Sequence, residues 1–340
     1  IDIHMVSYAH NNTTLFNLNT TKLWEVTKMY DMMKKQNFGV EIELTGITRE
    51  QAANVIATYF GTQARYLGTY YKTYGATDRK GRTWKAMSDG SILTERKSAS
   101  HGRVSAGTAF SCEVVTPVLQ YEDMDDLQNI IRALREAGAI ANSSCGIHVH
   151  VDGKNHTPAS LTRLMNFAIG RQDLFYEALE IGDRANRWCK KMNSTLLKAM
   201  QSDSEKTKSS IERIWYSAAN DGYTGGINHE HYNTSRYHGV NLHSYFSKGT
   251  VEFRLFNSTL HAGKIKAYIQ FCLAVSAWAI TSQDKIVFRS MDGYTAEKKV
   301  TIMRNILTNR LGLYGNEFKT CRLHLMTPLK KVAGMTCRAA

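Results

Sequence analysis

The sequence predicts an α+β fold built around a mainly antiparallel sheet. Short segments alternate apolar and polar residues with a period of two, the pattern of strands with one covered face. Amphipathic segments of helical period lie between them. Two stretches read as hairpins, which makes much of the sheet antiparallel.

The elements follow in order. Residues 20–36 read as a helix, with Leu23, Val26, Met29, Tyr30 and Met33 at helical spacing. Phe38–Leu44 is a strand. Thr48-Arg-Glu-Gln51 forms a capping box that starts a helix running to about Phe60. Residues 65–100 are hairpin-like: Tyr and Thr alternate from Tyr66 to Tyr74, Asp78–Gly81 is a turn, and Trp84–Ile92 is a further strand. Phe110–Leu119 is a strand ending near Pro117. Asp123–Gly138 is an amphipathic helix with acids at its start and Arg near its end, as the helix dipole favours. Cys145–Asp152 is a strand and Ser160–Ile181 a helix. Residues 202–236 are polar and read as a long loop, a lid or an insertion. Val240–Tyr245 and Thr250–Phe256 are paired as a hairpin around Ser247-Lys248-Gly249. Ala262–Ile280 is an apolar helix that packs under the sheet. Three regions result: an N-terminal extension (1–33, partly helical), a catalytic domain (34–283) with a polar insertion at about 202–235, and a basic helical appendage (284–340).

The chain has 340 residues, 43% of them hydrophobic and 21% charged, which excludes global disorder. The net charge of +13 is what a nucleic-acid binder carries. It is concentrated, however: residues 285–340 hold eleven Lys/Arg against three Asp/Glu. That region reads as a surface for an acidic substrate such as a polyanion, an acidic peptide or cell-wall material. The six cysteines form no CxxC pair, which predicts reduced thiols and a cytoplasmic setting. No basic-then-apolar leader opens the sequence, and the apolar stretch Phe271–Ile280 is too short to span a bilayer. Neither GxxxxGK[ST], GxGxxG nor HExxH occurs. His229-Glu230-His231 sits in the polar loop and reads as surface rather than as a metal site. Tyr66, Tyr70, Tyr71 and Tyr74 read as ordinary hairpin residues.

The strand faces carry the chemistry. In Val40-Glu41-Ile42-Glu43-Leu44 both carboxylates point one way and the aliphatic residues the other. His148, His150 and Asp152 share one face of Ile147–Asp152. Glu252 and Arg254 share a face of Val251–Leu255, and Asn241 and His243 one of Val240–His243. Glu113 lies among Cys112, Val114 and Val115. A merely solvated face usually carries Thr, Lys, Gln and Ser of mixed sign. Four glutamates gathered on neighbouring strands repel one another and cost several kcal/mol per ion, roughly, unless cations compensate. Carboxylate oxygens with imidazole suit Mg²⁺ or Mn²⁺. Asp89, in Ser88-Asp89-Gly90-Ser91 at a strand end, is either a turn residue or a substrate contact.

Five segments, in this order, resemble the amidoligase family, carboxylate–amine ligases related to glutamine synthetase and glutamate–cysteine ligase. They are Phe38–Glu43, Ser88–Ser91, Cys112–Pro117, Cys145–Val151 and Lys248–Asn257. The resemblance covers roughly Phe38 to Ile280. It implies an antiparallel sheet curved into an open funnel, glutamine synthetase-like and backed by helices, with ATP and Mg²⁺ on the concave face. It implies metal ligation by Glu41, Glu43, Glu113, one or both of His148 and His150, and Glu252. It places Arg254 on the transferring phosphate, with Arg236 and, as a weaker match, Arg187 as phosphate or substrate arginines.

The implied activity is ATP-dependent ligation through an acyl phosphate, because hydroxide is too poor a leaving group for direct condensation. Asp89 is the candidate to bind and deprotonate the amine. The substrates are a carboxylate and an amine, such as an amino acid, a peptide or a cell-wall fragment. Two other readings stay open. A metal-dependent hydrolase would need no ATP, and a guanidino-type phosphotransferase would release no phosphate. A nucleic-acid-binding protein would show a steep salt dependence and leaves the Glu/His face unexplained. Oligomeric state is not encoded in any of these features.

Overall fold

The computed structural model describes residues 20–219, 226–283, 291 and 293–337. Much of the expected N-terminal extension, the middle of the polar insertion and the start of the basic appendage lie outside the described residues. Packing divides the chain into two units. The first comprises Ile1–Gln36, Val151–Phe253 and Ala267–Ala340; the second comprises Asn37–His150 and Arg254–Lys266. Helix α1 (Thr20–Lys35) belongs to the first unit.

The second unit holds a large antiparallel sheet backed by helices. Its elements are β1 (Phe38–Leu44), α2 (Arg49–Phe60), β2 (Arg65–Tyr66), β3 (Tyr74–Thr77), β4 (Thr83–Met87), β5 (Glu95–Ser98), β6 (Gly102–Ser105), β7 (Cys112–Val115), α3 (Met124–Glu136) and most of β8 (Gly146–Asp152). The sheet order is β2-β3-β4-β7-β1-β8, while β5 and β6 form a separate ribbon. β7 is antiparallel to both β1 and β4. Register places Glu43 directly opposite Glu113. The apolar side is closed by Val40, Ile42, Leu44, Cys112 and Val114, each no more than 1% exposed.

Helix α2 packs on β3, β4 and β7 and against α3. It starts where the sequence predicts: the Thr48 side chain accepts from Gln51 N, and the Gln51 side chain accepts from Thr48 N. It stops at Gly61, whose φ of 72° suits glycine. Ala52, Ala53, Ile56 and Ala57 form its buried stripe. The strands are shorter than expected. Trp84–Ile92 is regular only to Met87, because Asp89 turns the chain through bonds to Ser91. Phe110–Leu119 is regular only over Cys112–Val115.

The first unit contains α4 (Pro158–Ile169), α5 (Gln172–Ala178), α6 (Ser194–Ser202), α7 (Lys208–Ala218), β9 (Val240–Asn241), α8 (His243–Lys248), most of α9 (Ala262–Thr281), α10 (Ala296–Asn305) and α11 (Lys319–Val332). It also holds the start of β10 (Thr250–Asn257). Three expectations are corrected here. The helix expected over Ser160–Ile181 breaks at Gly170 and Arg171, giving α4 and α5. The polar stretch 202–236 is not simply a loop: Thr207 and Ser210 form a capping box, and α7 buries Ile211, Trp215 and Tyr216. The strand expected to Tyr245 ends at Asn241. The Asn241 side chain accepts from His243 N, α8 follows, and Gly249 closes it with φ 80°. Paired β9 and β10 oppose Asn241 to Glu252. Among its described residues the basic segment contains α10 and α11, and Val300, Met303, Phe318, Leu325 and Leu329 are buried. No described helix is long and apolar enough to cross a membrane.

One ionic knot fixes the β3–β4 hairpin to the start of α3. Asp78 accepts from Lys80 N, Arg82 N and Arg82 Nε. The Arg82 guanidinium spans both oxygens of Asp123 at 2.8 and 3.0 Å, and Lys80 Nζ adds a contact at 2.9 Å. Burial alone would raise the Asp123 pKa, but Arg82, the Gln120 backbone and Lys80 hold it well below the ordinary carboxylate range. A depressed carboxylate stabilises the fold fully above its unfolded value, near pH 4, and loses that contribution as pH falls toward its folded value. Asp123→Asn is expected to cost about 2 kcal/mol at pH 7. Urea unfolding should show the gap to wild type narrowing steadily below about pH 4. A gap that stayed constant to low pH would refute the assignment.

Candidate functional site

The polar face of the second unit is built by alternation. Keeping Val40, Ile42 and Leu44 in the core forces Glu41 and Glu43 onto the opposite side. The same rule on β7 and β8 turns Glu113, His148 and His150 to that side. Glu43 and Glu113 are nearly dry, at 4% and 9% exposure, and His148 is buried at 3%. Ligand atoms of Glu41, Glu113 and His148 lie within 4.8 Å of one another, as do those of Glu43, Asp89 and Glu113.

Hydrogen bonds fix these side chains. His148 Nδ1 lies 3.0 Å from Glu41 Oε2, and His150 Nε2 lies 3.2 Å from Glu41 Oε1. His148 Nε2 is 3.9 Å from Glu43 Oε1. The Gly146 N–H donates to Glu43 Oε2 at 2.6 Å. Asp89 is both a turn residue and a member of the cluster. Its Oδ1 accepts from Ser91 N and Ser91 Oγ, and its backbone is held by Ser111. Ser111 is held in turn by Arg49 Nη1, which donates to the Ser111 and Thr108 carbonyls. The sequence pattern does not single out Arg49 or Ser111. A helix-initial arginine and a lone serine carry no local signal of such a role.

The electrostatics of neighbouring acids diverge. Burial, then Glu41, Glu43 and Asp89, push Glu113 well above the ordinary carboxylate range, with Arg254 opposing. Burial would also raise Glu41, but His150 and His148 overcome it and hold Glu41 well below that range. The donors are hard carboxylate oxygens with an imidazole nitrogen. That set fits Mg²⁺ or Mn²⁺, which would relieve the opposition of Glu43 and Glu113.

The first unit contains a polar pocket. The pocket, of about 180 Å³, is lined by Asn241, His243, Glu252, Arg236, Lys248, His229 and His231, with serines completing it. Asn241 Nδ2 donates to Glu252 Oε2 at 2.6 Å. Because Asn241 Oδ1 already accepts from His243 N, its amide group is directed at Glu252. Tyr216 Oη pairs with His243 Nδ1 at 2.8 Å. Burial, followed by Arg236, lowers the His243 pKa to about 4. Arg236 donates to the His231 carbonyl and so holds the 229–231 segment. His229 turns to Glu212 at 2.6 Å. Arg187 lines no part of this pocket; it is exposed and stacks on Trp188 at 4.3 Å.

A family model described as "Putative amidoligase enzyme" matches residues 34–276. No curated protein sequence matches. Among solved structures, a bifunctional glutathione synthetase from Pasteurella multocida is similar at 13% identity and a TM-score of 0.37. The match covers 92% of this chain and 50% of that one, so the chain spans half that protein's length. The family match extends over most of the sequence and includes every strand that carries the glutamates and histidines described above: the chain belongs to the amidoligase family.

Proposed function

We propose that this protein is a ligase that joins a carboxylate to an amine at the expense of ATP, through an acyl phosphate, on a Mg²⁺- or Mn²⁺-bearing face. The observation that carries the reading is the opposed, buried pair Glu43 and Glu113, clustered with buried His148 and half-buried Glu41 and Asp89. Glu41, Glu43, Glu113 and His148 would hold metal, with His150 fixing Glu41. Glu252, oriented by Asn241, is proposed for the same role. Bound metal would neutralise charge developing on the transferred phosphoryl group.

Arg254 is 4% exposed, and its charge acts on Glu113. Its proposed role is to bind the phosphoryl oxygens; Arg236 serves as a second phosphate or substrate contact. Asp89 keeps Oδ1 on Ser91, and Oδ2 is the atom proposed to accept the amine proton. Arg187 is a surface residue and the weakest candidate. We take residues 34–283 as the catalytic domain and a funnel-like, glutamine synthetase-related sheet as its form.

Incubated with ATP, Mg²⁺ and an array of acids and amines, the protein is expected to release ADP and phosphate with at least one pair. Chelation should stop the reaction, and Mg²⁺ or Mn²⁺ should restore it. Glu252→Gln should abolish turnover with an unchanged circular dichroism spectrum, and Arg254→Gln should lower kcat by about 10²–10³-fold. Full activity in either variant would sink the assignment. The cationic C-terminal region fits an acidic substrate. Reversing Lys330 and Lys331 to Glu should raise KM for that substrate at low salt and leave kcat alone; an unchanged KM would remove this part of the reading.

A further inference from the structure

The pocket of the first unit has a layered composition. Its floor is polar and dry: Asn241 is 1% exposed and Glu252 2%. Its rim is wet and holds two permanent cations, with Lys248, His229 and His231 exposed and Arg236 half-buried. Arg236 and Lys248 line the pocket with one carboxylate, Glu252. Two permanent cations against one acid leave a positive charge that an anion would balance.

Size narrows the occupant. About 180 Å³ is below the range of pockets that enclose a whole cofactor, roughly 300–1,000 Å³. It suits one terminal group of a few heavy atoms. The imidazoles are presented rather than pooled for a metal: His229 is engaged by Glu212, and the His231 carbonyl is anchored by Arg236. No group of metal ligands found among the described residues includes His229 or His231.

We propose that this pocket is an oxyanion subsite in which Arg236, Lys248 and the imidazoles of His229 and His231 hold one phosphoryl or carboxylate group of a substrate above Glu252. The proposal rests on the ligase reading, because the ligase handles both a nucleotide phosphoryl group and a substrate carboxylate. It adds Lys248, His229 and His231 to the binding machinery. It also gives the polar insertion a purpose, since that segment carries the two rim imidazoles.

The test is isothermal titration of the full chain, with Mg²⁺ present, using inorganic phosphate, ATP, ADP and glutarate as probes. Lys248→Gln is expected to weaken at least one probe about tenfold, and Lys248→Arg to regain most of it. His229→Gln should weaken the same probe two- to fivefold, roughly, as loss of one exposed polar contact would. A phosphoryl occupant shows as loss with phosphate and ATP but not with ADP or glutarate. A carboxylate occupant shows as loss with glutarate alone. Wild-type protein that binds none of the four, or a Lys248→Gln/Arg236→Gln double variant that binds all of them as wild type does, would overturn the proposal. Probe binding that depends on Lys248 in a protein releasing no ADP would keep the subsite and sink the ligase reading instead.

Discussion

Glu43 and Glu113 face each other across two hydrogen-bonded strands, and both are nearly shut off from water. Like charges directly opposed on a sheet destabilise it. The register cannot slip to separate them. A shift of one residue would turn Val40, Ile42 and Leu44 out of the apolar core. Apolar packing on one face therefore enforces electrostatic conflict on the other.

The surroundings answer that conflict in part. Gly146 donates a backbone N–H to Glu43, two histidines bracket Glu41, and the Arg254 charge reaches Glu113. The result is a split: Glu41 is held ionised while Glu113 is pushed toward its neutral form. Such a face is costly to fold and well suited to a divalent cation. In the first unit the arrangement differs. Glu252 is tied down by Asn241 and lies in a pocket that Arg236 and Lys248 also line.

Much of this is legible in the residues alone. Period-two alternation predicts β1 with its bounds, and the Thr48–Gln51 box predicts α2, because both signals are local. The glutamates and His148 are legible for the same reason: alternation decides which side a residue faces. The departures have local causes too. Val240–Tyr245 alternates like a strand, but the Asn241 side chain caps the turn into α8, a competition that residue pattern alone does not register. The polar composition of 202–236 hides α7, whose stability comes from burying Trp215 and Tyr216 rather than from an apolar run. Arg49 and Ser111 brace the Asp89 turn through contacts distant in sequence, which no periodicity encodes.

The most direct test of the metal-binding face is thermal unfolding of metal-free wild type and Glu113→Gln, each titrated with Mg²⁺ and Mn²⁺. Gln places a permanently neutral group where burial and neighbouring carboxylates already push Glu113 toward its neutral form, so the variant should be at least as stable as wild type without cation. Wild type should then gain several degrees, roughly, as the cation saturates the native state, and the variant far less. A wild-type midpoint unmoved by either cation, or a Glu113→Gln protein that responds as fully as wild type, would contradict the account.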